Sequence, residues 1–436
     1  MKSPSLSLDA QVSALLAQTD GCTAAALQAA TGKSQASISL ALTRLGDAVC
    51  KMGAARSTRY ALTQAVLGLD ARQAVHLAAP HADQGLFGSL VFLQGNRVHI
   101  SGPRKSQWLG SNALPWWLST LKPQGFLGRR FARLRPDFAP DPAEWTLAQI
   151  LYMAVNHIGD PPGAFTVGPR NLANPVPLTN RSRGAAFGRL ADAAADSLPA
   201  GSSAGGEQPK FLAQVGNKQV IVKFTPLRGT PFGERWHDLL QLEHLAGLVL
   251  RDNGIAVAQT ELVQTQRRTY LQSTRFDRLG GTGKRHVVAA SSVHEAFVKA
   301  PQRHWVATCE ALVTLKLLAP EHLRAVASTY LFGQYIANTD MHFGNLSFFV
   351  DDVTKPALLP TPVYDMLPMA WRPGVHGGEL GAVPIPERVQ PAGFETQAAE
   401  ARAWAIDYWE QAARLEGLSS SLQRASARNA KSLRAG

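Results

Sequence analysis

Asp340 and Asn345 stand five residues apart in YIANTDMHFGNLSF (335–348), and the two residue types suit one chemistry. An aspartate on such a loop can accept the proton of an attacking hydroxyl, while the asparagine amide oxygen holds a hard cation. A second acid, Asp365 in PVYDML (362–367), follows at a distance suited to the other metal ligand. Upstream, the apolar run IVKF (221–224) ends on Lys223, whose ammonium can neutralise phosphate. Before it lies GSSAGGEQPK (201–210). Its Gly205 and Gly206 let backbone N–H groups approach a phosphate closely, and Lys210 closes the stretch. Each piece alone has a plainer use. Asp and Asn bond nearby backbone in turns, a strand lysine reaches solvent, and Asp365 could cap a helix. Their order outlines a site for ATP and Mg2+: phosphate loop, strand lysine, helix, catalytic loop, metal acid.

These groups need elements to hold them. FLAQVGNKQVIVKF reads as a hairpin turning at Gly216-Asn217, with strands over 211–215 and 219–224. Residues 234–253 pattern as a helix with Leu239, Leu242, Leu245, Leu248 and Val249 at apolar positions. Glu243 on this helix either pairs with Lys223 or is a solvated surface acid, and the sequence leaves the two readings equal. Residues 184–198 are alanine-rich and helical in character. GIAVAQTELV and TYLQSTRF read as strands, the second running into RFDR (275–278). From His294 onward the chain is mostly helical, and LRAVASTYLFGQYIA delivers the catalytic loop. Residues 392–433 are helical and rich in Ala, Arg and Ser. Trp108, Trp116 and Trp117 read as packed rather than base-stacking residues.

The first 66 residues pattern differently. Leu8, Val12, Leu15 and Leu16 share one helical face, Thr23 is an N-cap for a second helix, and Thr31-Gly32-Lys33 is a turn. A third helix starts near Ser34 and ends at Leu45. It buries Ile38, Ala41, Leu42 and Leu45 and leaves Gln35, Ser37, Ser39 and Arg44 outward. AVCKM and TRYALT then form a hairpin around Gly53-Ala54-Ala55-Arg56-Ser57. This is the layout of a winged helix-turn-helix. Ser34, Gln35, Ser37 and Arg44 fall where a recognition helix meets a major groove; Lys51, Arg56 and Arg59 fall where a wing meets phosphate. The alternative is a helical bundle that binds another protein. Residues 66–84 read as a helix-prone connector, followed by strands in LFGSLVFL and NRVHISG.

A chain of 436 residues has room for two or three domains, and its net charge of +12 favours an anionic partner, although such a charge also serves solubility. Cys22, Cys50 and Cys309 lie far apart without a CxxC, which fits neither a disulfide framework nor a zinc site and points to a reducing cytoplasm. No stretch approaches the ~20 apolar residues of a membrane helix, so no membrane partner is expected.

Taken together, SAGGEQPK (203–210), IVKF, RFDR, NTDMHFGN (338–345) and YDML (364–367) resemble the HipA-like family of serine/threonine kinase toxins from bacterial toxin–antitoxin systems. LPWWLSTLKPQGFLGR (114–129) and YMAVNHIGDPPGA (152–164) resemble that family's N-terminal part, and the likeness covers roughly residues 85–410. Among its members the chain is most similar to the YjjJ subgroup, whose kinase carries its own DNA-binding domain. The resemblance implies an α+β, bilobal protein-kinase-like fold behind the winged helix-turn-helix. Its divisions would be a DNA-binding domain over 1–66, a connector over 67–84, an N-terminal subdomain over 85–200, an N-lobe over 201–277 and a helical C-lobe over 278–436.

It further implies that Asp340 is the base and that His342, two residues on, is a structural neighbour within the nucleotide site. Phe276 would lie beneath adenine, unless it is simply core. Ser203, or its neighbour Ser202, would be autophosphorylated, which silences the kinase by placing a phosphate where those of ATP should sit. The implied partners are a protein with a Ser or Thr target (often an aminoacyl-tRNA synthetase in this family), duplex DNA and an antitoxin. Two other classes stay open: a DNA-binding regulator with an inactive kinase fold, and a magnesium-dependent nuclease using the same acids.

Overall fold

Three short helices open the chain, each started by a hydroxyl. Ser7, Thr23 and Ser34 cap α1 (Leu8–Ala17), α2 (Ala24–Thr31) and α3 (Gln35–Leu45), accepting the N–H groups of Ala10, Ala26 and Ser37. Gly32 ends α2 in the left-handed conformation, with φ of 66°. Val12, Leu16, Leu27, Ile38, Ala41 and Val49 interlock as the core of this unit. β1 (Val49–Met52) and β2 (Arg59–Leu62) follow as an antiparallel hairpin with Val49 opposite Leu62. Cys22 bridges to Tyr60 and ties the hairpin to the helices. Three helices followed by an antiparallel hairpin is the element order that the patterning implies. The computed structural model describes residues 6–79, 82–156, 160–169, 176–196, 208–280, 282–374 and 392–435.

The hairpin rests on the part of the chain that follows it. Cys50, Met52 and Ala61 pack on Val91 and Leu93, and the Gly53 N–H donates to Gln107 Oε1 at 2.6 Å. The domain beneath is a five-stranded antiparallel sheet of β3 (Arg72–Ala79), β4 (Ala82–Leu93), β5 (Arg97–Ser101), β6 (Gln107–Ser111) and β7 (Phe165–Val167), in the order β6-β5-β4-β3-β7. The helix-prone connector is therefore corrected: Arg72–Ala79 is a strand, paired on both edges. Alanine propensity yields here to burial of Val75 and Ala78 within the sheet. α5 (Leu147–Val155) packs on it through Leu147, Leu151 and Val155, whereas α4 (Gly125–Ala132) sends Phe126 into the core of the sheet that follows. Trp117 is fully buried and meets Trp108 edge-on at 4.9 Å, and Trp116 meets Phe297 at 5.1 Å, so these rings are packing groups.

After α6 (Arg183–Asp196) comes a four-stranded antiparallel sheet, ordered β10-β11-β9-β8, from β8 (Lys210–Val215), β9 (Lys218–Phe224), β10 (Thr260–Gln264) and β11 (Thr269–Thr274). Gly216 makes the expected hairpin turn at φ 57°. Phe187, Phe211, Val222, Phe224 and Tyr270 fill its core. α7 (Pro231–Asp252) crosses the sheet, started by Thr230 accepting from the Gly233 N–H with Pro231 at its first turn.

The remainder carries β12 (Arg278–Leu279), β13 (Gly283–Lys284), β14 (Val287–Ala289), α8 (Ala290–Val293), α9 (Trp305–Thr314), α10 (Pro320–Tyr335), β15 (Ser347–Val350), β16 (Leu358–Pro360), α11 (Glu395–Arg414) and α12 (Ser420–Ala435). It is mostly helical, as expected, with a small β14-β15-β16 sheet that fixes the end of the loop 338–345. Gly333 on α10 is a close-approach position: a side chain there would collide with Met341, so its absence lets the loop lie on the helix. Among the described residues no helix is long and apolar enough to cross a membrane.

Candidate functional site

Lys223 stands on β9 with Lys210 opposite it on β8 and Leu271 on β11. Its ammonium donates to Glu243 Oε1 and Oε2 at 2.6 and 2.7 Å and pairs with Asp365 Oδ1 at 2.6 Å. The helix acid that the sequence left undecided is thus the lysine's partner, buried to 7% exposure, as is Lys223 itself. Burial opposes the charge on Lys223, but the two carboxylates outweigh it and hold the ammonium well above its ordinary range. Asp365, about a third exposed, is held well below the ordinary carboxylate range by Lys223 and Lys210. Glu243 moves the other way: burial, helped by the charge on Asp365, raises it against the pull of Lys223. Two carboxylates face one ammonium, so the cluster has room for further positive charge.

A string of hydrogen bonds joins this cluster to the loop. Asn338 Nδ2 donates to the Asp365 carbonyl at 3.4 Å, and Asn338 Oδ1 accepts the Asp340 N–H at 3.1 Å. Asn345 Nδ2 donates to the Asp340 carbonyl at 2.8 Å. Asp365 adopts φ of 55°, uncommon for a residue with a side chain, which turns its carboxylate toward the lysine. Val363, just before it, is fixed to Ala256 and Ala258 by two 2.9 Å backbone bonds. Tyr364 Oη donates to the Gly344 carbonyl at 2.8 Å, and Trp305 Nε1 to that of His342 at 3.1 Å. The Asp340 carboxylate is half exposed. His342 Nδ1 accepts the Gly344 N–H at 2.9 Å, while Nε2 lies 3.9 Å from Asp340 Oδ1, which fits a structural neighbour. A recess of about 380 Å³ opens beside Asp340, with Tyr330 and Gln334 of α10 on its wall.

RFDR does more than supply an aromatic. Phe276 is half-buried between Phe349 and Tyr364, with ring centres 5.8 Å from each, at the junction of the two lobes. Its neighbours form a buried ionic knot that the sequence did not reveal. Asp277 accepts from Arg275 at 3.0 and 2.9 Å, from Arg278 at 2.7 Å and from the Gly163 N–H at 2.9 Å. Asp160 takes the outer side of both arginines at 2.5 and 2.7 Å. Asp277, though buried, is kept far below its ordinary value by these two cations. The knot fastens the loop after α5 to the strand behind Lys223. The Arg-Phe-Asp-Arg order of RFDR, with the lone Asp160 of GDPPGA, was the available signal.

At the other end of the molecule, Gln35, Lys51, Arg56 and Arg59 are exposed. Ser34 and Ser37 are engaged in capping, with their hydroxyls 3.0 Å apart. Arg44 is not free: its guanidinium makes a two-pronged pair with Asp9 at 2.9 and 2.6 Å. Gly205, Gly206, Ser202 and Ser203 lie outside the described residues.

Residues 202–430 match the model of the HipA-like C-terminal domain, and residues 69–175 match that of the YjjJ-like toxin middle domain. Toxin YjjJ of Escherichia coli (strain K12) is 35% identical over 360 residues, which cover 79% of this chain and 80% of that protein. Among solved structures, a chain of the Shewanella oneidensis MR-1 toxin–antitoxin complex of HipA, HipB and operator DNA superposes with a TM-score of 0.51. It covers 83% of this chain and 96% of its own at 17% identity, a likeness of fold.

Proposed function

The chain belongs to the HipA-like family, in its YjjJ-like branch, and from that premise we propose that it is a toxin-type serine/threonine protein kinase with a DNA-binding domain of its own. One observation carries the reading. Lys223 holds Glu243 and Asp365 at once, and a kinase needs both the lysine–helix-glutamate pair and the metal aspartate in place to act.

The residues present fit magnesium brought in with ATP. Among the described residues no group of three His, Cys, Asp or Glu could hold a metal alone. Mg2+ is ordinarily held by one or two carboxylates together with substrate phosphates and water. Asp365 and the amide oxygen of Asn345 would hold it. When bound, the ion neutralises charge on the phosphoryl oxygens. Lys223, with Lys210 beside it, draws the phosphates in. Asp340 orients the acceptor hydroxyl and takes its proton as the new O–P bond forms and ADP departs. Positioning and charge neutralisation account for most of the acceleration, because the phosphoryl group needs little covalent assistance. Phe276 offers a face to the base. Ser203 or Ser202 is the expected site of self-phosphorylation. An antitoxin and duplex DNA are the expected partners, in keeping with the HipA, HipB and operator DNA complex of the structural relative.

The test is transfer. Purified protein is incubated with γ-labelled ATP, magnesium and a cell extract, and label is sought on Ser or Thr. Label on the protein itself and on a small set of targets supports the reading. Nucleotide binding with no label on any protein overturns it and leaves a nucleotide-binding regulator.

A further inference from the structure

We propose that α3 reads A·T base pairs, and that Leu40, beside Ala36, recognises thymine by its methyl group. The inference rests on the DNA-binding part of the proposed function and gives it a sequence class.

The argument starts from what the outward face of α3 lacks. Base edges in the major groove are read by a small code. Arg or Lys reads guanine, Asp or Glu reads cytosine, Asn or Gln reads adenine, and an apolar group reads the thymine methyl. The helix is QASISLALTRL, and it contains no acid and one base, Arg44. That arginine sits in the last turn and is held by Asp9 through two hydrogen bonds. Recognition helices read bases mainly with their N-terminal residues, so Arg44 is also the wrong end of the helix for guanine. The usual readers of guanine and cytosine are therefore missing.

What the face does present is specific. Gln35, Ala36, Ser39, Leu40 and Thr43 are exposed. Ala36 and Leu40 are four residues apart and so lie one above the other. Leu40 is 56% exposed, although the unit's own core, packed from Val12, Leu16, Leu27, Ile38 and Ala41, lies on the helix's other side. Gln35 sits in the first turn with no capping duty, since Ser34 performs it. The pair offers an amide for adenine and an apolar ridge for the methyl of its partner thymine.

Charge complementarity identifies the occupant. Lys33 precedes the helix, Lys51 stands on the hairpin face that carries Val49 toward the helical core, and Arg56 and Arg59 lie further along the hairpin; all four are exposed, and none joins an ion pair among the described residues. The chain carries +12 overall. A polyanion, with phosphates on both sides of an apolar strip, matches that surface better than a neutral protein face does.

The experiment uses the full chain without ATP. Selection from a random duplex pool should enrich a core with neighbouring A·T pairs. Each thymine of that core is then replaced by deoxyuracil, which removes the methyl and leaves the hydrogen-bonding edge unchanged. At one position or more, wild-type affinity should fall about four-fold, the worth of burying one methyl. Leu40→Ala should bind the thymine site more weakly by a similar factor and should not distinguish thymine from uracil there. Leu40 is exposed, so an unchanged melting temperature is expected and shows that the fold is kept. A G·C core, or uracil tolerated at every position by the wild type, overturns the proposal. Salt-sensitive binding without enrichment overturns base reading but leaves the phosphate-binding surface standing. Absence of binding even in low salt overturns the DNA reading as well, makes α3 a protein-facing helix, and leaves the kinase site untouched.

Discussion

Asn345 Nδ2 donates to the Asp340 carbonyl at 2.8 Å, so the two residues whose spacing marks the site are bonded to each other. The bond uses one of the amide's two N–H donors and leaves its oxygen for another ligand. Through Asn338 the string continues to Asp365, and from there to Lys223 and Glu243. The loop 338–345, Asp365, Lys223 and Glu243 thus form one positioned unit rather than four separate pieces.

Replacing Asp340 by Asn should remove phosphoryl transfer and spare ATP binding. Loss of a general base costs ~10²–10⁴ in rate. The carboxylate is half exposed at the loop's rim and takes no part in the Lys223 cluster. Transfer of label and calorimetry with MgATP check the two halves; transfer at the wild-type rate would remove Asp340 from the mechanism.

Lys223→Met should abolish activity and also change how stability responds to pH. The buried Glu243 and the partly buried Asp365 would then face each other without the Lys223 ammonium between them, and desolvation together with mutual repulsion raises such groups. An acid raised in the folded state stabilises at low pH and loses that contribution as pH rises through its folded value. The variant should therefore lose more melting temperature than the wild type between about pH 5 and about pH 8. Parallel pH profiles for the two proteins would show that Glu243 and Asp365 do not depend on this lysine.

Asp277→Ala should destabilise the chain by about 3–5 kcal/mol, since removing one member of a buried ionic cluster strands the others. Of their carboxylate partners Arg275 and Arg278 would keep Asp160, which is itself partly exposed, beside the carbonyls of Pro161 and Gly163. Denaturant unfolding measures the cost. A change below about 1 kcal/mol would place the pair in the range of surface ion pairs.

His286 should make the protein acid-sensitive. Burial beside Gly163 lowers it from 6.5 to about 4. The unfolded chain takes up its proton first, so stability present above about pH 6.5 is lost as pH falls toward about 4, by on the order of 3 kcal/mol at most. His286→Gln should flatten that part of the profile. Asp277, held far lower, titrates beneath this window. An unchanged slope would mean that His286 is as free to protonate folded as unfolded.

The site's acids and lysine were legible because each sits next to a strong local signal. Lys223 closes an alternating strand, and Asp340 and Asn345 follow a long helix. Glu243 was not decidable, because α7 buries Leu239, Leu242 and Glu243 together and its periodicity does not say which side meets a lysine. The knot of Asp160, Arg275, Asp277 and Arg278 joins residues more than 110 apart along the chain, a separation no local pattern spans. The strand at Arg72–Ala79 was misread for a related reason: alanine-rich sequence is helix-prone alone, and only partners on both edges make it a strand. On the third helix the periodicity was right, but the Arg44–Asp9 pair depends on how α1 packs against α3.

Replacing Arg56 and Arg59 together by Ala should weaken binding to every duplex alike. Both are exposed; Arg56 lies between the two strands, and Arg59, although opposite Met52 on the face that packs on Val91 and Leu93, stands outside that cluster, so the fold should tolerate the change. Each phosphate neutralised releases counterions and contributes about −0.9 to the slope of log affinity against log salt. If each arginine neutralises one phosphate, the double variant's slope should be flatter by about two. Selected and random sequences should lose affinity by the same factor, because a phosphate contact carries no base information. Titrations of the full chain at several salt concentrations measure both quantities. A variant that changes its preferred sequence while keeping its slope would move these arginines from the backbone to the base edges.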